Sequence, residues 1–133
     1  MDRNRQQLAL SVVVILHLVV TLAHGWAHSA AAVPLGGLSL AFVIVVIQAA
    51  PLIGLAWMWT NPLAGARLIG LAMSASLLFG LINHFVIPSP DHVDHVIAQW
   101  RPLFLSTTIL LVLTEAAGAI LGLTQRKVIR KLA

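Results

Sequence analysis

Five of the six histidines in this 133-residue chain fall in two short stretches. One is His24-Gly-Trp-Ala-His28. The other is Asn83-His-Phe-Val-Ile-Pro-Ser-Pro-Asp-His-Val-Asp-His, which brings His84, His92 and His95 together with Asp91 and Asp94. His24 and His28 stand four apart, a spacing that lets two imidazoles on one helix face grip a single ion. Imidazole suits zinc, copper, iron and nickel, and a carboxylate either completes such a site or holds a ligand's second ring nitrogen in place. The expected metal ligands are therefore His24, His28, His84, Asp91, His92, Asp94 and His95, with zinc, copper or iron as the ion. The chain has no cysteine, which excludes thiolate sites, iron–sulfur clusters and disulfides.

Two other readings fit the same residues. A b-type haem clamped between His24 and His84 would make the chain an electron-transfer protein or anchor. A cofactor-free subunit of a larger membrane complex would use its histidines at the interface to bond headgroups and backbone. Ser89-Pro90-Asp91 would then cap a short helix over that face.

The elements that must position these groups are greasy. The chain is 59% hydrophobic and 9% charged, with a mean hydropathy of +0.96. A soluble domain of this size needs about a quarter of its residues charged. Spans of about 20 apolar residues cross a bilayer core of about 30 Å, and four are predicted, over 8–30, 35–59, 63–87 and 102–123. The expected fold is a single all-α transmembrane domain. Short connections favour an up-down-up-down four-helix bundle, with a short helix or loop on the outer face between the third and fourth helices. The beginning is similar to a secretory signal, with Arg3, Arg5, an apolar run and small residues after His28. It is read as an uncleaved first helix, because only three spans remain without it.

Basic residues orient the bundle. Arg3, Arg5, Arg67, Arg126, Lys127, Arg130 and Lys131 fall on one side of a four-span protein, and Arg101 alone on the other. The positive-inside rule then places both termini in the cytoplasm of a cell (inner) membrane. Trp57 and Trp59 mark the inner interface, and Trp26 and Trp100 the outer. The same topology puts His24, His28, His84, His92 and His95 all at the outer face.

A second polar layer lies deeper. Counted inward at 1.5 Å per residue, His17, Gln48, Ser74, Ser76 and Glu115 all fall about 16–20 Å down, near the midplane. Glu115 is the only acid within a span, and an intramembrane charge is costly unless paired or protonated. His17 is its expected partner in a proton relay, unless the layer is instead a polar floor beneath a bound cofactor. The same layer would also serve as a packing network, helped by Gly118, Ala119 and Gly122 on the fourth span. Pro51 lacks the N–H that the carbonyl of Ile47 would need, so it is expected to kink span two beside this layer.

No nucleophile–base–orienter set and no phosphate-binding loop appears, and the basic residues are explained by topology rather than nucleic acid. Whether the chain is an enzyme stays open. The expected surroundings are the lipid bilayer, with a membrane-protein partner or a second copy of the chain. The leading expectation is a metal site at the outer face of a small membrane protein, acting on or handling a metal or a lipophilic substrate.

Overall fold

The computed structural model describes residues 3–125. Arg126, Lys127, Arg130 and Lys131, on which much of the orientation argument rests, lie outside the described residues. Four helices are long and apolar enough to cross a membrane, and no strand occurs among the described residues. They are α1 (Arg3–Ala30), α2 (Gly37–Met58), α3 (Pro62–Phe85) and α4 (Arg101–Leu123).

Local chemistry sets the ends. Asn61 caps α3 by accepting a hydrogen bond from Ala64 N at 3.2 Å, and Pro62 follows in the first turn, where its missing N–H costs nothing. The end of α1 is closed by Val33 N donating to His28 O at 3.0 Å, while Ala32 takes a left-handed φ of 54°. That is the bond pattern of a helix C-cap in which glycine is the usual residue. The segment 86–100 forms turns, so of the two expected forms it takes the loop. Val93 N donates to His84 O at 3.0 Å, and the Arg101 guanidinium donates to the carbonyls of Val96 and Asp94. The loop is thereby tied to both flanking helices. Trp26 and Trp100 pack edge to face at 5.6 Å, consistent with a shared level.

The inward stripe of α1 runs Leu10, Val14, His17, Thr21, His24, His28, all buried. This alternating 4–3 spacing keeps one helix face toward its neighbours. Along that stripe the bundle changes character. Leu10 and Val14 join Met58, Ala66, Ile69 and Met73 in a dry apolar core. The other end of the stripe is polar. Outward residues such as Leu8, Val12, Ile15, Val19 and Leu22 are exposed and apolar, as lipid contact requires.

At the apolar end the helices touch backbone to backbone. A Cβ on Gly122 would sit 2.5 Å from Ala66 O and 2.6 Å from Gly70 N. Gly65 is held as closely against Gly54 and Met58. Small residues permit this approach, which substitutes for the hydrophobic drive that lipid removes.

The middle of α2, Val43–Ala49, is π-helical, with Ala50 N donating five residues back to Val45 O. Pro51 explains it. The proline ring clashes with the preceding turn and cannot bond Ile47 O, so the turn widens. His17 satisfies the freed carbonyl, its Nε2–H donating to Ile47 O at 3.1 Å. The first half of α2 packs against α3 and leaves α1 almost untouched.

Candidate metal centre

His24 and His28 project from successive turns of α1, and His84 from the last turn of α3. All three are buried. His24 Nε2 lies 3.2 Å from His84 Nε2 and 3.2 Å from His28 Nε2. One ring nitrogen from each of the three lies within 4.8 Å of the others, a set that could hold a metal ion. Bonds of about 2.0–2.1 Å at tetrahedral angles separate two zinc-bound nitrogens by about 3.3–3.4 Å. Both short edges of the cluster match that separation closely.

The hydrogen bonds behind the rings assign which nitrogen faces inward. Thr107 Oγ1 donates to Leu103 O at 2.8 Å, so its oxygen can only accept from His24. His24 Nδ1–H therefore donates to it at 2.9 Å, leaving a lone pair on His24 Nε2. His84 Nδ1 faces two acceptors, the carbonyl of Asp91 at 3.1 Å and its Oδ1 at 3.2 Å, with the carbonyl taking the better-aligned bond. His84 Nε2 is then also a bare lone pair. Two lone pairs aimed at each other across 3.2 Å repel unless a proton or a cation lies between them. This is the outer-shell pattern that orients metal-ligating imidazoles.

Asp91 Oδ1 also stands 3.3 Å from His28 Nε2. Burial pushes the Asp91 carboxyl up, but the nearby His84 N–H and the fields of His84, His28 and His24 outweigh it and hold the carboxyl below its ordinary value. Of the two roles open to this carboxylate, the geometry favours the second. It sits on the far nitrogen of His84 and, although its Oδ1 also reaches His28 Nε2, it is not one of the mutually close donors of the cluster.

The other expected ligands do not join the cluster. His92, Asp94 and His95 brace the loop instead. His95 Nδ1–H donates to Ser89 O at 2.6 Å, and His92 Nδ1 accepts from Asp94 N at 3.2 Å. The loop reaches the bundle through Asp91 and the buried Val96, while the bonds of His92 and His95 stay within the loop. The haem arrangement does not fit either. Two axial imidazoles must stand on opposite faces of a macrocycle, whereas His24 and His84 meet nitrogen to nitrogen with His28 beside them. Phe104 fills the remaining side, its ring centroid 4.8, 4.9 and 5.2 Å from those of His24, His28 and His84.

No hydrogen bond or ion pair joins His17 to Glu115. The carbonyl freed by Pro51 takes the His17 Nε2–H, so the expected relay pair is not formed. Glu115 instead faces a cavity of about 70 Å³ whose walls come from all four helices. Its far end is formed by His24, His28, His84 and Asp91, and Gln48 and Ser76 join Glu115 at the near end. Ser74 turns aside, donating to Gly70 O at 2.8 Å.

Sequence reasoning missed Thr107 and Phe104. A signal for the threonine exists, since the adjacent Thr108 lies two helical turns before Glu115 on one stripe and also lines the cavity. Nothing in the sequence singles out Phe104, one apolar residue among many. No protein-family model, curated protein or solved structure matches the chain.

Proposed function

We propose that this is a multi-pass membrane protein that holds a transition metal ion, zinc, copper or iron, between His24, His28 and His84. The observation that carries the reading is the convergence of three buried ring nitrogens at 3.2 Å edges, with the second nitrogens of His24 and His84 already engaged by acceptors. Three protein ligands leave a coordination position unfilled, and all three histidines line the cavity. That is the pattern of reactive or exchangeable metals, since structural sites close with four ligands. Phe104 packs against all three imidazoles on one side. The bundle runs up-down-up-down in a cell (inner) membrane with both termini cytoplasmic, so the centre lies toward the outer face. The basic residues and the tryptophan pairs support this orientation.

The test is elemental analysis of protein purified in mild detergent, without chelator or metal-affinity tag. A transition metal at one ion per chain is expected, and it disappears in the paired variant His24→Ala/His28→Ala. A wild-type protein that is metal-free, and takes up none of zinc, copper or iron, refutes the reading.

A further inference from the structure

The three histidines do not account for what lies beneath them. The cavity continues from the cluster to a floor formed by Glu115, Gln48 and Ser76. Ser76 lies eight residues before His84, and Glu115 eight beyond Thr107. Each is thus about 12 Å deeper than the metal-holding layer.

Size decides what can fill this space. A cavity that takes up benzene measures about 150 Å³, whereas one water needs about 10–15 Å³. A volume of about 70 Å³ is therefore too small for a ring and sufficient for several waters. Polarity points the same way, because apolar cavities stay dry and polar ones do not. Ser76 Oγ is fully buried and has no hydrogen-bond partner among the described residues. Glu115 is 3% exposed, and among the described residues no hydrogen bond or ion pair reaches its carboxyl. Thr108 Oγ1 donates to Phe104 O at 2.8 Å and keeps its lone pairs free. Buried groups of this kind cost free energy unless something bonds them.

We propose that the cavity holds a chain of waters through which Glu115 exchanges protons with the open coordination position of the three-histidine centre. The proposal rests on the metal reading above for one end of the chain. The titratable groups facing the chamber with Glu115 are His24 and His28 from α1, His84 from α3 and Asp91 from the loop. From α2 the only polar side chain facing it is the neutral Gln48, and His17 is turned away to Ile47 O. A water held at the open position would give a proton to the nearest water of the chain. Successive waters pass a proton along their hydrogen bonds, and the Glu115 carboxylate takes it up as O–H. The reverse sequence returns it, and nothing is oxidised or reduced.

Glu115 is the only glutamate in the chain, so carbon-13 glutamate marks its infrared band without any substitution. The experiment follows that band in detergent-solubilised full-length protein, at a pH low enough to hold the carboxyl in its acid form. On transfer to D2O the labelled C=O band is expected to shift within minutes, and Ser76→Val, which makes the floor apolar, slows the shift at least tenfold. Addition of zinc at neutral pH is expected to move the labelled band, because the ion reorients the far end of the water chain. A band that stays unshifted through hours in D2O overturns the proposal. So does zinc that binds one per chain and leaves the band where it was. A protein whose band exchanges rapidly but which binds no zinc refutes the metal centre and leaves the wet chamber standing.

Discussion

The bond from His17 to Ile47 O should be measurable by a double-mutant cycle with Pro51. His17→Leu removes the side-chain donor to a buried carbonyl that Pro51 leaves without its usual N–H partner four residues on. In soluble proteins an orphaned buried acceptor costs about 1–3 kcal/mol. In membrane bundles the measured hydrogen-bond couplings are smaller, averaging about 0.6 and reaching about 1.7 kcal/mol. The lower range governs, because the unfolded helices in a micelle also find partners. Pro51→Ala supplies an N–H at the required position and removes the ring that widens the turn. The carbonyl then bonds within its own helix, and His17 becomes dispensable. The single substitution His17→Leu is therefore expected to cost about 1 kcal/mol more in the native background than in the Pro51→Ala background. Packing changes common to both backgrounds cancel in the cycle. Reversible unfolding of the four proteins in mixed micelles measures it. Independent sites add within about 0.3–0.5 kcal/mol, so a cycle that closes inside that margin refutes the account of the π-helical turn.

Further outcomes are expected. His84→Ala should abolish metal retention, and Asp91→Asn should weaken it about 10–100-fold, as loss of an outer-shell partner does. His92→Ala and His95→Ala should leave the metal content unchanged in the same elemental analysis. The depressed Asp91 carboxyl also affects acid stability of the metal-free protein. Its contribution is fully present above the ordinary value of about 3.9 and is lost as pH falls through the lower folded value. Melting temperatures below pH 4 should therefore fall more steeply for wild type than for Asp91→Asn. Gly122→Ala forces a methyl group against Ala66 O and should destabilise the bundle by about 1–3 kcal/mol, read from the same micelle titration. Ala32→Gly should stabilise it by about 1 kcal/mol, since the left-handed conformation at that position strains a side chain.

The four helices were legible because apolar run length is one-dimensional information. The predicted spans and the observed helices differ by only a few residues at most ends, with α1 extending further toward Arg3. The meeting of His24, His28 and His84 was legible for a related reason. Depth along a helix can be counted, and two of the three share one face of one helix. Rotation about each axis cannot be counted in the same way. His17 and Glu115 share a depth yet do not bond, because the proline in α2 determines where His17 turns. The sequence flagged the freed carbonyl of Ile47 without revealing its partner. The loop was the least legible part. Five residues offered two imidazoles and two carboxylates, and only Asp91 approaches the centre, because the path of a short non-helical segment depends on tertiary bonds such as Val93 N to His84 O.

The dry packing beneath Glu115 bears on how the membrane voltage acts. Below the cavity lie Met73, Ile69, Leu10 and Val14, with the glycine contacts closing the helices further down. On this side the chamber abuts apolar packing. In the proposed orientation, a proton moving from the outer face to Glu115 crosses roughly half of the hydrocarbon field and goes no further. A full crossing is worth about 2.3 kcal/mol per 100 mV, so half is about 1.2 kcal/mol, close to a sevenfold change in occupancy. An inside-negative potential pulls protons toward the floor of the chamber. The proton occupancy of Glu115 would then follow the energised state of the cell with no ion passing through the protein.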